Sequence, residues 1–252
     1  MIDNRISRAL KLWPLLLFAC AATPAHALQI VTEENPPFNF TEGGKLKGMS
    51  TQIVAALGVR TDTPMNFKAM AWPNAYEIAQ SKRDACVYST VRLENRERIF
   101  KWVGPIASDS WGLYAKSAFG AEIKTLADVR PFRIGAVTDD AKVEWLKQRA
   151  VTNIDMVDDD RKNPPRLTLD RKQQGGIDLW VASVYHAREV AAAAKVSDLK
   201  LVLKINEQQL WLACNPGVSS TVIKAMQDAL DAMRKDGTYD KIVQPYMKQF
   251  AQ

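Results

Sequence analysis

In the stretch Ser89-Thr-Val-Arg92-Leu-Glu-Asn-Arg96-Glu-Arg-Ile-Phe100-Lys-Trp102-Val-Gly-Pro105, Arg92, Arg96 and Arg98 alternate with Glu94 and Glu97. The stretch follows Ala85-Cys-Val-Tyr88, a short apolar run that reads as a buried strand. An arginine delivered at the end of such a strand can aim its guanidinium into a cleft. Its five rigid donors match a carboxylate bidentately. Arg96 is the candidate for gripping a small anionic ligand. From the residues alone it fits equally well a surface arginine paired with Glu94 or Glu97. Arg92 and Arg98 read as solvated.

Other polar groups fall just after strand signals. Ser89 and Thr90 end the run before Arg96, where their hydroxyls either cap a turn or meet a ligand. Val137-Thr138-Asp139-Asp140 leads into a helix from Ala141. Helix N-termini favour anions, and Thr138 adds a hydroxyl. Asp139 and Asp140 either cap that helix or face a cationic ligand group. Trp72 follows a strand over Met65–Ala69 and offers an indole face with one donor. Ser183 follows the buried run Ile177–Val181.

Composition narrows the chemistry. His186 is the one histidine after residue 27, so a His-rich zinc site is excluded, and a Ser-His-Asp arrangement would have to use it. It falls in Ser183–Val190, read as helix, and fits a helix-surface or half-buried position. Cys86 has no supporting nucleophile motif. No cofactor and no metal are predicted. Cys86 and Cys214 fit either a disulfide in an oxidising compartment or two buried thiols.

The N-terminus reads as a leader. Arg5, Arg8 and Lys11 precede an apolar run from Leu12 to Ala22, and Ala25-His-Ala27 has a small-x-small pattern. The run is too short to span a bilayer. Residues 1–27 are therefore expected to be a signal peptide, cleaved after Ala27, with a periplasmic mature chain. A lipidated Cys20, in Leu17-Phe-Ala-Cys20, fits less well. The leader carries three basic residues and one acid, so the +6 of the whole chain falls to +4 without it. Interspersed with acids, that is too mild for a nucleic-acid binder.

Strand and helix signals alternate, which argues α/β. Strands are expected over 28–31, 65–69 and 85–89, with helices over 50–57, ended by Gly58, and 73–80. Trp111–Lys116 reads as a crossing strand. A second set follows: strands over 133–137, 155–157 and 177–181, helices over 141–149, 165–174 and 183–194. Gln209–Cys214 reads as the return crossing. Ile223, Met226, Leu230 and Met233 mark an amphipathic helix stopped by Gly237, and a final short helix carries Ile242, Val243 and Tyr246.

The Arg96 stretch resembles the T-x-x-R…F-x-x-P segment of family 3 extracellular solute-binding proteins, the periplasmic receptors of polar amino-acid ABC transporters. Arg96 falls on that family's ligand-binding arginine, Trp102 on its aromatic and Pro105 on its proline. Pro36-Pro37-Phe38-Asn-Phe40, Gly43-Gly-Lys-Leu-Lys-Gly48, Gly175-Gly-Ile-Asp178 and Asp236-Gly-Thr-Tyr239 resemble further family elements, in order along the chain. The resemblance implies a type II two-lobed fold, two α/β lobes joined by a two-strand hinge. Residues 28–110 and 213–252 would form lobe 1, and 111–212 lobe 2 with the hinge strands. It places Trp72 as an aromatic wall and Asn35 where relatives carry a stacking aromatic.

The departures bear on the ligand. Ser183 stands where such receptors usually place an aspartate for the ligand ammonium. Val91 and Leu93 replace threonines near the arginine. The carboxylate grip looks kept and the ammonium grip lost or moved, with Asp139 or Asp140 as fallback. The expected function is a monomeric, non-enzymatic receptor for a small polar or anionic solute, handed to an inner-membrane ABC permease. The alternatives are a dehydratase-like enzyme on the same fold and a free-standing sensor or accessory module.

Overall fold

The computed structural model describes residues 27–170 and 174–250. The expected leader and Cys20 lie outside the described residues. β1 (Leu28–Thr32), β4 (Met65–Ala69) and β5 (Ala85–Val91) form a parallel set, with β1 between the other two. Every residue of β5 is buried, as expected of a central parallel strand covered on both faces. The short hairpin β2 (Phe40–Glu42) and β3 (Lys45–Lys47) stands apart. The helices α1 (Met49–Arg60) and α2 (Trp72–Ser81) complete this half, with Pro73 in the first turn of α2.

The second half repeats the pattern. β7 (Ile134–Val137) pairs in parallel with β8 (Ile154–Val157) and β9 (Leu179–Ser183). The helices α3 (Ala141–Lys147), α4 (Asn163–Arg166) and α5 (Ala187–Ala193) connect or follow these strands. Two sixteen-residue antiparallel strands, β6 (Lys101–Lys116) and β10 (Leu199–Cys214), join the halves. The full order is β4-β1-β5-β10-β6-β9-β7-β8. The chain ends in α6 (Ser220–Lys235), capped by Ser219, and α7 (Thr238–Phe250). α6 buries Met226, Leu230 and Met233 from its apolar stripe. None of the helices among the described residues is long and apolar enough to cross a membrane.

Several local expectations change. Gly58 does not end α1, which continues to Arg60, and Ser50 is buried inside the helix while Gly48 precedes it. Gly58 answers a packing need instead: a Cβ there would lie 2.9 Å from the Met65 sulfur. The helix expected over 165–174 is the single turn of α4, and residues 171–173 lie outside the described residues. The helix expected from Ser183 begins only at Ala187. Ser183 closes β9 because it pairs with Trp111 of β6, and the ladder overrides local helix preference. β6 and β10 are longer than expected, since their mutual pairing extends each of them across the whole sheet.

Cys86 and Cys214 form a disulfide between directly opposed residues of β5 and β10. The bond links positions 128 residues apart. A Cys86→Ala, Cys214→Ala protein should lose about 2–5 kcal/mol of stability. The loss should show as a lower urea midpoint, with a steeper slope because the unfolded chain, no longer cross-linked, exposes more surface. An unchanged midpoint would contradict a stabilising role for this bond.

Candidate functional site

The candidate residues gather beyond the carboxyl ends of strands from both halves, the usual place for ligands in open α/β sheets. β1 delivers Glu33 and Asn35, β4 delivers Trp72, and β5 delivers Ser89 and then Arg96. From the other side β7 delivers Thr138, Asp139 and Asp140, and α3 adds Lys142 in its first turn. β6 contributes Asp109 and Trp111 where the halves meet.

Arg96 sits in a 3-10 turn over Glu94–Arg96 and is only 5% exposed. Its Nη2 donates to the Asp139 carbonyl at 2.6 Å and its Nη1 to the Val91 carbonyl at 3.5 Å. The guanidinium carbon lies 4.8 Å from the Tyr76 ring centre and 5.9 Å from that of Trp72. Trp72 and Tyr76 stack at 5.5 Å. Burial draws the Arg96 pKa down, opposed by the charges of Tyr76, Asp140 and Asp139. Among the described residues Arg96 forms no ion pair; its partners are carbonyls and ring faces.

Trp72 Nε1 donates to the same Asp139 carbonyl at 3.0 Å. That oxygen, on a residue with φ of 60°, therefore ties the two halves together. The cleft is shut at Arg96: the cavity lined by Arg96, Asn35, Trp111 and Lys142 measures about 20 Å³, room for about one water. A larger cavity of about 230 Å³, lined by Tyr76, Thr138, Asp139 and Glu144, opens on the far side of Arg96.

The remaining candidates divide. Asp140 caps α3, accepting the Lys142 amide at 2.8 Å, and pairs with the Lys142 ammonium at 2.7 Å. Ser89, at φ 58°, donates to Asn39 Oδ1 at 2.5 Å. Asn35 lines the cleft, 7% exposed, and its buried Oδ1 has no partner among the described residues. Thr90 does not join the cleft lining; its hydroxyl donates to Val87 in its own strand. Ser183 lies behind the cleft and donates to Asp109 Oδ1 at 2.5 Å. His186 is buried rather than half-exposed, with Nε2 3.8 Å from Asp160. Among the described residues no group of His, Cys, Asp and Glu is placed to hold a metal.

Tyr76, Glu33, Asp109, Trp111 and Lys142 stand at this site but were not among the sequence candidates. Tyr76 carries a usable signal, four residues after Trp72 on one helix face. Asp109 is 2% exposed and also accepts from Trp111 Nε1 at 3.2 Å. Burial raises its carboxyl, with Lys142 and Ser183 opposing. Burial and the charge of Asp140 push the Glu33 carboxyl well up, with Lys142 opposing. Burial alone would lower the Lys142 ammonium, but Asp140, Asp109, Glu33 and Asp160 outweigh it and raise it.

Two α/β halves shut over a buried guanidinium define a solute-binding fold of the type II periplasmic kind, and solved structures share it. A histidine kinase sensor domain with similarity to periplasmic binding proteins superposes with a TM-score of 0.77 at 18% identity, covering 88% of this chain and 96% of that one. Residues 28–249 match the model of the bacterial extracellular solute-binding proteins, family 3, and the chain belongs to that family. It is 23% identical to the probable amino-acid-binding protein YxeM of Bacillus subtilis, over 86% of this chain and 82% of the relative. It is 25% identical to the L-cystine-binding protein TcyJ of Escherichia coli, over 81% of this chain and 75% of the relative.

Glu33 generates a pH prediction. A carboxyl raised by folding keeps its proton beyond the pH at which the unfolded chain releases it. Stability therefore falls as pH climbs from the ordinary carboxylate range through the raised one. Glu33→Gln removes that loss. Urea midpoints measured against pH should diverge over this window, with the variant more stable at its upper end. Parallel curves would rule out the inferred surroundings of Glu33.

Proposed function

We propose that this protein is a receptor for a small carboxylate-bearing polar solute, an amino acid or related organic acid, that it captures by closing two lobes. The observation that carries the reading is Arg96. A buried cation is costly unless an anion or a full set of acceptors meets it. Here two carbonyls stand in, leaving other guanidinium donors for a carboxylate. Trp72 and Tyr76 back the charge from one side, and Thr138, Asp139 and Asp140 approach from the other.

Lobe 1 comprises residues 28–110 and 213–252, and lobe 2 residues 111–212. The switch from parallel to antiparallel pairing at β6 and β10 supports this division. Solute handed over by the closed form would pass to an inner-membrane ABC permease, and the receptor works as a monomer without turnover. The binding-protein names of the relatives support the solute-capturing part of this reading. The leader and the Cys86–Cys214 disulfide support export to an oxidising periplasm.

One guanidinium cannot supply the affinity alone. Micromolar binding needs about 8 kcal/mol, while a charge-assisted hydrogen bond yields about 1.5–3 kcal/mol. Closure supplies the remainder by excluding water and recruiting second-lobe donors. A thermal-shift screen over small carboxylates and amino acids should find a ligand that adds about 2.7 kcal/mol at a hundredfold excess over its Kd. Arg96→Met should abolish that gain, and Arg96→Lys should weaken binding by about tenfold or more. A ligand that binds Arg96→Met as tightly as the parent protein would sink the reading.

A further inference from the structure

Beside the Arg96 anion site the cleft contains a cation site that is already filled from within. The Lys142 ammonium pairs with Asp140 at 2.7 Å and lies 5.5 Å from the Trp111 ring centre. The carboxylates of Asp109 and Glu33 add their charge from the hinge strand and the opposite half. The lysine side chain is only 14% exposed.

Building on the receptor reading, we propose that Lys142 is a tethered substitute for a ligand's ammonium, and that the cleft therefore selects small hydroxycarboxylates over the matching amino acids.

Three observations lead there. The ion pair with Asp140 joins residues at one helix start, so it persists when the halves separate. The bonds of Arg96 and Trp72 to Asp139 cross between the halves and must break. Tethering also gives the lysine a high effective concentration, of order millimolar or more for short tethers. A free ligand's ammonium must displace it, whereas a ligand without one need not. Finally, Asn35 Oδ1 lines the same cleft, buried and without a partner among the described residues. That oxygen accepts from a ligand hydroxyl as readily as from an ammonium, so a hydroxy acid forfeits no hydrogen bond there for want of the ammonium.

The test uses pairs differing only by hydroxyl against ammonium: glycolate and glycine, L-lactate and L-alanine, L-malate and L-aspartate. Kd values are measured by calorimetry for the parent protein and for Lys142→Met. The parent should prefer the hydroxy acid of its best pair by at least about tenfold. Lys142→Met, with its acids freed, should lose or invert that preference. If Lys142→Met does not fold, Lys142→Gln replaces it, and the parent's ratio decides on its own. A parent that binds the amino acid equally or better, in an Arg96-dependent way, overturns this inference and leaves the receptor reading intact. A folded Lys142→Met protein with the parent's ratio overturns it also. Absence of binding by every probe to both proteins overturns the receptor reading as well.

Discussion

Arg96 holds a positive charge almost wholly out of water, and what answers it is main-chain oxygen from the far side of a cleft. Much of the architecture follows from that arrangement. The charge needs a strand to bring it inward, which β5 does, and ring faces to pack against it, which α2 supplies through Trp72 and Tyr76. It also needs an acceptor from the opposing half. The Asp139 carbonyl, presented by a residue in the left-handed region, receives both Arg96 and Trp72. Strain of this kind is commonly concentrated where binding takes place. Two hydrogen bonds to this one oxygen thus cross between the halves, alongside the edge contact of Phe38 with Tyr185.

The charges around this junction are unevenly distributed. Glu33, Asp109 and Asp140 surround a single lysine, and the first two sit where burial opposes their ionisation. Such a cluster is tolerable because Lys142 is among them. Removing the lysine would leave those buried carboxylates without a counter-charge, which costs more than the pair contributes. Ser183 matters here in an indirect way. It brings no charge of its own, yet its hydroxyl holds Asp109, so a carboxylate stands beside Ser183 after all, supplied by the neighbouring strand.

Much of the fold could be read from residue order, because continuous apolar runs such as Ala85–Tyr88 and the spaced Met226, Leu230 and Met233 make periodicity informative. Arg96 and Trp72 were singled out by the family resemblance, since from the residues alone a surface arginine and a packing tryptophan fitted as well; both side chains are buried. What escaped was set by pairing. Asp109 stands beside Ser183 because Trp111 pairs with Ser183, and that long-range register is announced by no local pattern. The helix expected from Ser183 failed on the same point: the strand ladder continued where the alanine-rich segment suggested otherwise. Gly58 was misread as a stop because its reason is the sulfur of Met65, remote in the chain. Thr90 was placed correctly on β5, but alternation turns it away from the cleft.

The Cys86–Cys214 bond fastens the end of β10 to β5, two pairs from the register shift between Leu210 and Leu212. A ribbon clamped at one end and kinked just beyond flexes at its kink. Were the halves to move apart, a staple at this end would favour rotation near the bulge over sliding along the strands. The covalent staple would then set the path of travel as well as the strength of the scaffold.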